Sequence, residues 1–162
     1  MPETDSLPKR LIYHKVSEIC ATLDREINHR LKTAHNVTVI NGDSHIYNFM
    51  LPKNDGNPMI IDFQFWGYGI GAGDLAHLTR VAFPDKFKES LHCRIVERYH
   101  QTLINCGVTN YTLDECIRDY RMNVASMVLI PMWQYIAFGL GYEEWHGDID
   151  GLIKNFLYTA EY

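Results

Sequence analysis

The sequence predicts a mostly helical α+β domain carrying a small β-hairpin insertion. Apolar residues recur at helical spacing between residues 6 and 31, and again from Asp74 onward. Between these stretches, two short apolar runs flank an Asp55-Gly56 pair, which is a hairpin signal. Four glycines then fall between Trp66 and Gly73, which predicts a loop.

Residues 1–6 are expected to be a flexible start, and residues 7–162 a single domain. Ser6 can cap a helix running to about Leu31, with Pro8 tolerated in its first turn. Leu11, Ile12, Val16, Ile19, Cys20, Leu23, Ile27 and Leu31 share one face; Lys15, Glu18, Asp24, Arg25 and Arg30 are expected on the polar side. VTVI at residues 37–40 reads as a strand. FML at 49–51 and MIIDF at 59–63 read as hairpin partners around PKNDGNP.

Helices follow from Asp74 and over KESLHCRIVERYHQTLINCG, the latter with Gly107 as its C-cap. Thr112 and Glu115 form a capping box for a helix continuing to Pro131, which should kink or interrupt it. A last helix is expected over residues 151–160.

An apolar fraction of 46%, a charged fraction of 22% and a net charge of −5 describe an ordinary globular chain. That acidity argues against nucleic acid as a partner, which would need clustered Lys and Arg. No signal peptide is evident, and no run reaches the ~18 apolar residues of a membrane span, so no membrane partner is expected. Cys20, Cys93, Cys106 and Cys116 include no CxxC pair. They read as reduced thiols in a cytoplasmic protein and not as a zinc site.

The polar residues of the insertion carry the chemistry. With Asp55-Gly56 at the hairpin tip, Phe49 should face Asp62 and Asn48 should face Phe63, placing Asn48 and Asp62 together at the open end of the ladder. An amide oxygen and a carboxylate so placed suit Mg²⁺, which takes one or two protein ligands plus phosphate oxygens. Asp43, five residues before Asn48, can face the same site and accept a proton from a substrate hydroxyl. Turn chemistry alone also accounts for Asp and Asn in a loop.

N-G-D-S-H-I-Y-N at residues 41–48 resembles the H-G-D-x-H-x-x-N catalytic loop of the aminoglycoside phosphotransferase and choline kinase superfamily, relatives of the protein kinases. I-I-D-F-Q at residues 60–64 resembles its I-D-[FW]-[EQ] metal segment, and G-A-G-D-L-A at residues 71–76 its G-x-x-x-D-L-A motif. The helices through YHQTLINCGV and LDECIRDYRMNVA are similar to those of the bacterial and ecdysteroid-kinase-like branches. The resemblance spans roughly residues 10–145 and corresponds to the C-terminal lobe of a protein-kinase-like fold, with the N-terminal β lobe absent.

By position, the resemblance implies that Asp43 is the catalytic base and that Asn48 and Asp62 hold Mg²⁺ on the phosphates of ATP. His45 would orient the loop at the cofactor site. Asp74 would be a structural brace, accepting backbone hydrogen bonds from the catalytic loop. Asn41 stands where the family has His. Neither a Gly-rich strand-turn-strand nor a strand lysine precedes Val37.

The expected activity is therefore phosphoryl transfer to a hydroxyl of a small molecule, weak or absent until an N-terminal lobe is supplied in trans. An apolar face around Phe49, Met50, Ile60 and Phe63 should then be exposed and favour self-association. A degenerate kinase-fold binding module without catalysis, and a metal-dependent hydrolase, remain open at this stage.

The second H-G-D, at residues 146–148, reads as a loop and helix cap. Trp133, Tyr135, Phe138, Tyr142 and Trp145 suggest helical core, or else a pocket wall. Glu143, Glu144, Asp148 and Asp150 suggest a solvated face, or else attraction for a cationic substrate.

Overall fold

A computed structural model describes residues 6–82 and 89–127. The expectations for Pro131, the aromatic stretch, the acidic cluster, the second H-G-D and the last helix lie outside these residues. Helix α1 spans Ser6–Thr33, and strand β1, Thr38–Ile40, follows it. A 3₁₀ turn at Ile46–Asn48 leads into β2, Phe49–Met50, which pairs with β3, Met59–Ile60. After β4, Gly67–Gly69, come α2, Ala72–Ala82, α3, Glu89–Asn105, and α4, Leu113–Ser126.

The strands form two separate two-stranded antiparallel ladders, β1 with β4 and β2 with β3. Gly67–Gly69 lies within the stretch the sequence marks as a loop. Glycines weaken a strand by propensity, so pairing with β1 makes this segment one.

The core sits among the helices. Ile70, Ala72, Ala76, Val96, Tyr111, Cys116, Tyr120 and Val124 are buried together, and Leu23 and Ile27 of α1 pack against them. Three of the helices carry a local reason for where they start or stop. The Thr112 hydroxyl accepts from the Glu115 N–H while the Glu115 carboxylate accepts from the Thr112 N–H, closing the capping box of α4. Helix α3 closes with Gly107 at φ +93°; the Gly107 N–H donates to the Ile104 carbonyl and the Val108 N–H to the Leu103 carbonyl. Helix α1 ends similarly, with His35 N–H on the Arg30 carbonyl, but the left-handed residue there is Ala34, at φ +52°.

Arg30 corrects the helical-face assignment. It is 2% exposed, not on the polar side. Its guanidinium donates to both Asp119 oxygens, at 2.7 and 2.9 Å, and its Nε to Glu26 at 2.9 Å. The Tyr111 hydroxyl donates to the same Asp119 carboxylate at 2.8 Å. Burial alone would lower the Arg30 pKa, but hydrogen bonds and charge from Asp119 and Glu26 hold it above its ordinary value. A bidentate, fully hydrogen-bonded pair of this kind fixes α1 on α4. The partner lies 89 residues away, beyond the reach of periodicity.

The hairpin register also differs from the expectation. Phe49 faces Ile60, not Asp62, and Met50 faces Met59. The ladder is centred between Asn54 and Asp55, one residue before the predicted tip. Gly56 N–H bonds back to the Asn54 carbonyl at 2.6 Å. The primed two-residue turn that Asp-Gly signals needs positive φ at both of its central residues, and neither Asp55 nor Gly56 has it.

Candidate active site

The loop after β1 is held by its own backbone. Asp74, in the first turn of α2, accepts the Asn41 N–H through Oδ2 at 2.7 Å and the Gly42 N–H through Oδ1 at 3.0 Å. A carboxylate in a helix's first turn is also favoured by the helix dipole. Gly42 adopts φ +81°, and a Cβ there would run into the Phe65 carbonyl. The chain can therefore turn this tightly only with glycine.

Asn41 binds the loop internally. It is buried; its Nδ2 donates to the Asp62 carbonyl at 3.0 Å and its Oδ1 accepts the Asp43 N–H at 3.1 Å. One amide thus joins the loop holding Asp43 to the segment holding Asp62. An imidazole in its place could also donate and accept once each, so the amide preserves this kind of link.

Asn48 is 7% exposed and donates through Nδ2 to the Asp43 carbonyl at 2.8 Å and, more weakly, to Asp43 Oδ2 at 3.4 Å. With the NH₂ spent on Asp43, Oδ1 lies on the opposite edge of the amide, pointing away from it. The Ile61 N–H donates to the Asn48 carbonyl at 2.9 Å, so Asp62 follows directly on the residue that pairs with Asn48. Asp62 is exposed and has φ +57°, a left-handed conformation that Asp tolerates better than bulkier residues. Strained backbone of this kind concentrates at functional sites. Beyond it, a turn closes with Trp66 N–H on the Phe63 carbonyl at 3.1 Å.

Asp43 is half-buried between two histidines. His45 Nε2 lies 3.5 Å from Asp43 Oδ2, and His77 Nε2 lies 3.7 Å from Asp43 Oδ1. His45 Nδ1 is buried without a hydrogen-bond partner. That nitrogen is least costly unprotonated, which puts the ring proton on Nε2, toward Asp43. Asp43, His45, Asn48 and Asp74 are thus brought onto one loop and the helix beneath it, and Asp62 is tied to that loop through its backbone. His77 and the bridging amide of Asn41 are the members that sequence reasoning missed. A signal for His77 was present, because it stands three residues after Asp74 and so on the same helical face.

Around the site the hairpin is exposed on both faces, since Met50 and Ile60 fall on opposite sides of the ladder. Met50 is 52% exposed, Leu51 70%, Ile60 43% and Phe63 48%. Phe49, expected to be exposed with Met50, Ile60 and Phe63, is instead half-buried. It lines a cavity of about 570 Å³ with Val37, Leu78, Tyr99 and Leu103.

A strand-borne loop with an acid at its third position, an amide five residues later and a second acid after a hairpin is an arrangement found in kinase-like phosphotransferases. The model of the ecdysteroid kinase-like family matches residues 3–109, and the chain belongs to that family, a kinase-like transferase family within the protein-kinase-like superfamily. No curated protein and no solved structure gives a match.

Proposed function

We propose that this chain is the catalytic lobe of an ATP- and Mg²⁺-dependent phosphotransferase that moves a phosphoryl group onto a hydroxyl of a small molecule. The observation that supports this reading most is the packing of Asp43 against Asn48, with Asp62 joined to the same loop through Asn41. Asn48 Oδ1 and the exposed Asp62 carboxylate are hard oxygen donors. Two such ligands fit Mg²⁺, which keeps waters and phosphate oxygens in its remaining positions. When bound, the ion neutralises charge developing on the phosphates.

Asp43 is the base. It receives the acceptor hydroxyl as a hydrogen-bond donor and takes its proton as the new P–O bond forms, while the nucleoside diphosphate leaves with the electrons of the broken bond. Asp74 acts through the backbone of Asn41 and Gly42 and keeps Asp43 at a fixed height above α2. His45 orients the loop beside the phosphate site. The cytoplasm, where ATP is supplied, is the compartment this reading implies.

The exposed apolar residues of the hairpin support a companion proposal. Met50, Ile60 and Phe63 would be covered by an N-terminal β lobe or by self-association, and turnover without that cover would be weak. A non-catalytic binding module is the second reading. It is favoured by the four described lysines, since Lys9, Lys15 and Lys32 lie in α1, Lys53 lies in the hairpin tip, and none is on a strand.

Thermal unfolding with and without millimolar Mg·ATP separates the two. The phosphotransferase reading expects a rise in Tm that grows with ligand concentration and is lost in Asp62→Ala. No rise at millimolar nucleotide would leave the binding module in its place.

A further inference from the structure

Helix α2 reaches the catalytic loop twice. Its first turn supplies Asp74, which takes two backbone N–H groups of the loop. One turn on, on the same face, His77 approaches the loop's side chain instead of its backbone. The His77 side chain is 11% exposed, and its Nε2 stands 3.7 Å from Asp43 Oδ1. His45 faces the other oxygen, and the two imidazoles meet edge to face with centroids 6.2 Å apart.

We propose that His77 is a positioning residue that holds the Asp43 carboxylate in one orientation from the rigid side of the site. Its importance for turnover rests on the phosphotransferase reading; the contact itself does not. His45 travels with the loop that carries Asp43, so it cannot fix that carboxylate relative to the rest of the fold. His77 can, because its backbone belongs to a helix packed on α4 through buried Ala72 and Ala76.

The spacing suits the task. At 3.7 Å the pair lies beyond hydrogen-bond length, so Nε2 steers Oδ1 electrostatically without occupying the lone pair an acceptor hydroxyl needs. Catalytic contacts of this kind are commonly long before substrate arrives and shorten afterwards.

The test uses the full chain with ¹³C-labelled aspartate carboxyls, the Asp43 resonance being identified by its loss in Asp43→Asn. His77→Gln carries an amide N–H to about the position of Nε2, whereas the shorter His77→Asn falls short of Oδ1. The Asp43 carboxyl resonance is expected to shift in His77→Asn and to stay near its wild-type position in His77→Gln. The Gly42 amide, which reports the Asp74 clamp, should be unmoved in both. An Asp43 resonance equally displaced in the two variants, or displaced in neither, overturns the proposal.

Stabilisation by Mg·ATP, measured on the same samples, should survive both substitutions, because His77 faces Asp43 and not the metal residues. Absence of that stabilisation in the wild-type chain would remove the phosphotransferase reading. The carboxyl shifts would still decide the His77 contact.

Discussion

Asp74 shows how one side chain can set a site without entering it. Both of its oxygens are committed to loop N–H groups, so its loss would leave two donors of a tight turn without partners. Asp74→Ala is expected to cost about 1–3 kcal/mol of stability. Hydrogen exchange at the Asn41 and Gly42 amides should accelerate well before the rest of the chain opens, and unchanged protection there would contradict the clamp. Residue types and spacing made Asp43, Asn48 and Asp62 legible as a group, and the family resemblance added Asp74. Arg30 was not, because its meaning lies in Asp119, a partner distant in sequence that no local pattern identifies, and His77 offered only its place on the Asp74 face of α2 without its partner Asp43.

At the scale of elements, helices were the readable part. Thr112 with Glu115 and Gly107 carry explicit end signals, and α4 and α3 begin and end on them. Helix α1 has no such signal at its C-terminus, and it runs to Thr33, past the expected end near Leu31. Its closing turn puts Ala34 at φ +52°, where a Cβ costs roughly 1–2 kcal/mol relative to glycine. Ala34→Gly is therefore expected to stabilise the fold by up to about 1 kcal/mol, after the added flexibility of the unfolded chain is deducted. Urea unfolding measures this, and a destabilised variant would contradict the assigned turn.

The short strands were harder to read. The β4 segment is glycine-rich and gains its identity from β1, and the hairpin register departs from the Asp-Gly signal because neither Asp55 nor Gly56 takes the positive φ of a primed turn.

Across the molecule, the helical core is closed while the hairpin is open on both faces. The core contains its own pH dependence. Burial holds the His92 imidazole down to about 3, from an ordinary value of 6.5, in contact with the Tyr120 hydroxyl at 2.6 Å, which in turn meets Thr79 at 2.8 Å. A depressed histidine binds its proton in the unfolded chain first. Between pH 6.5 and about 3 the unfolded state therefore carries the extra proton, so stability falls as pH falls through that window. The His92 contribution is complete at neutral pH and exhausted below about 3. Urea midpoints between pH 7 and pH 5 should decline more in the wild-type chain than in His92→Gln; equal declines would contradict a neutral, buried His92.

In the proposed phosphotransferase, Asn48 and Asp62 converge on one divalent ion at the phosphates of ATP. Manganese in place of magnesium tests it most directly, because a paramagnetic ion broadens the NMR signals of nuclei near it. With ATP and substoichiometric Mn²⁺, the account predicts selective loss of the Asn48 side-chain amide and Asp62 backbone signals, with both recovered in Asp62→Ala. Broadening that spares those two groups, or that centres on another part of the chain, would contradict it.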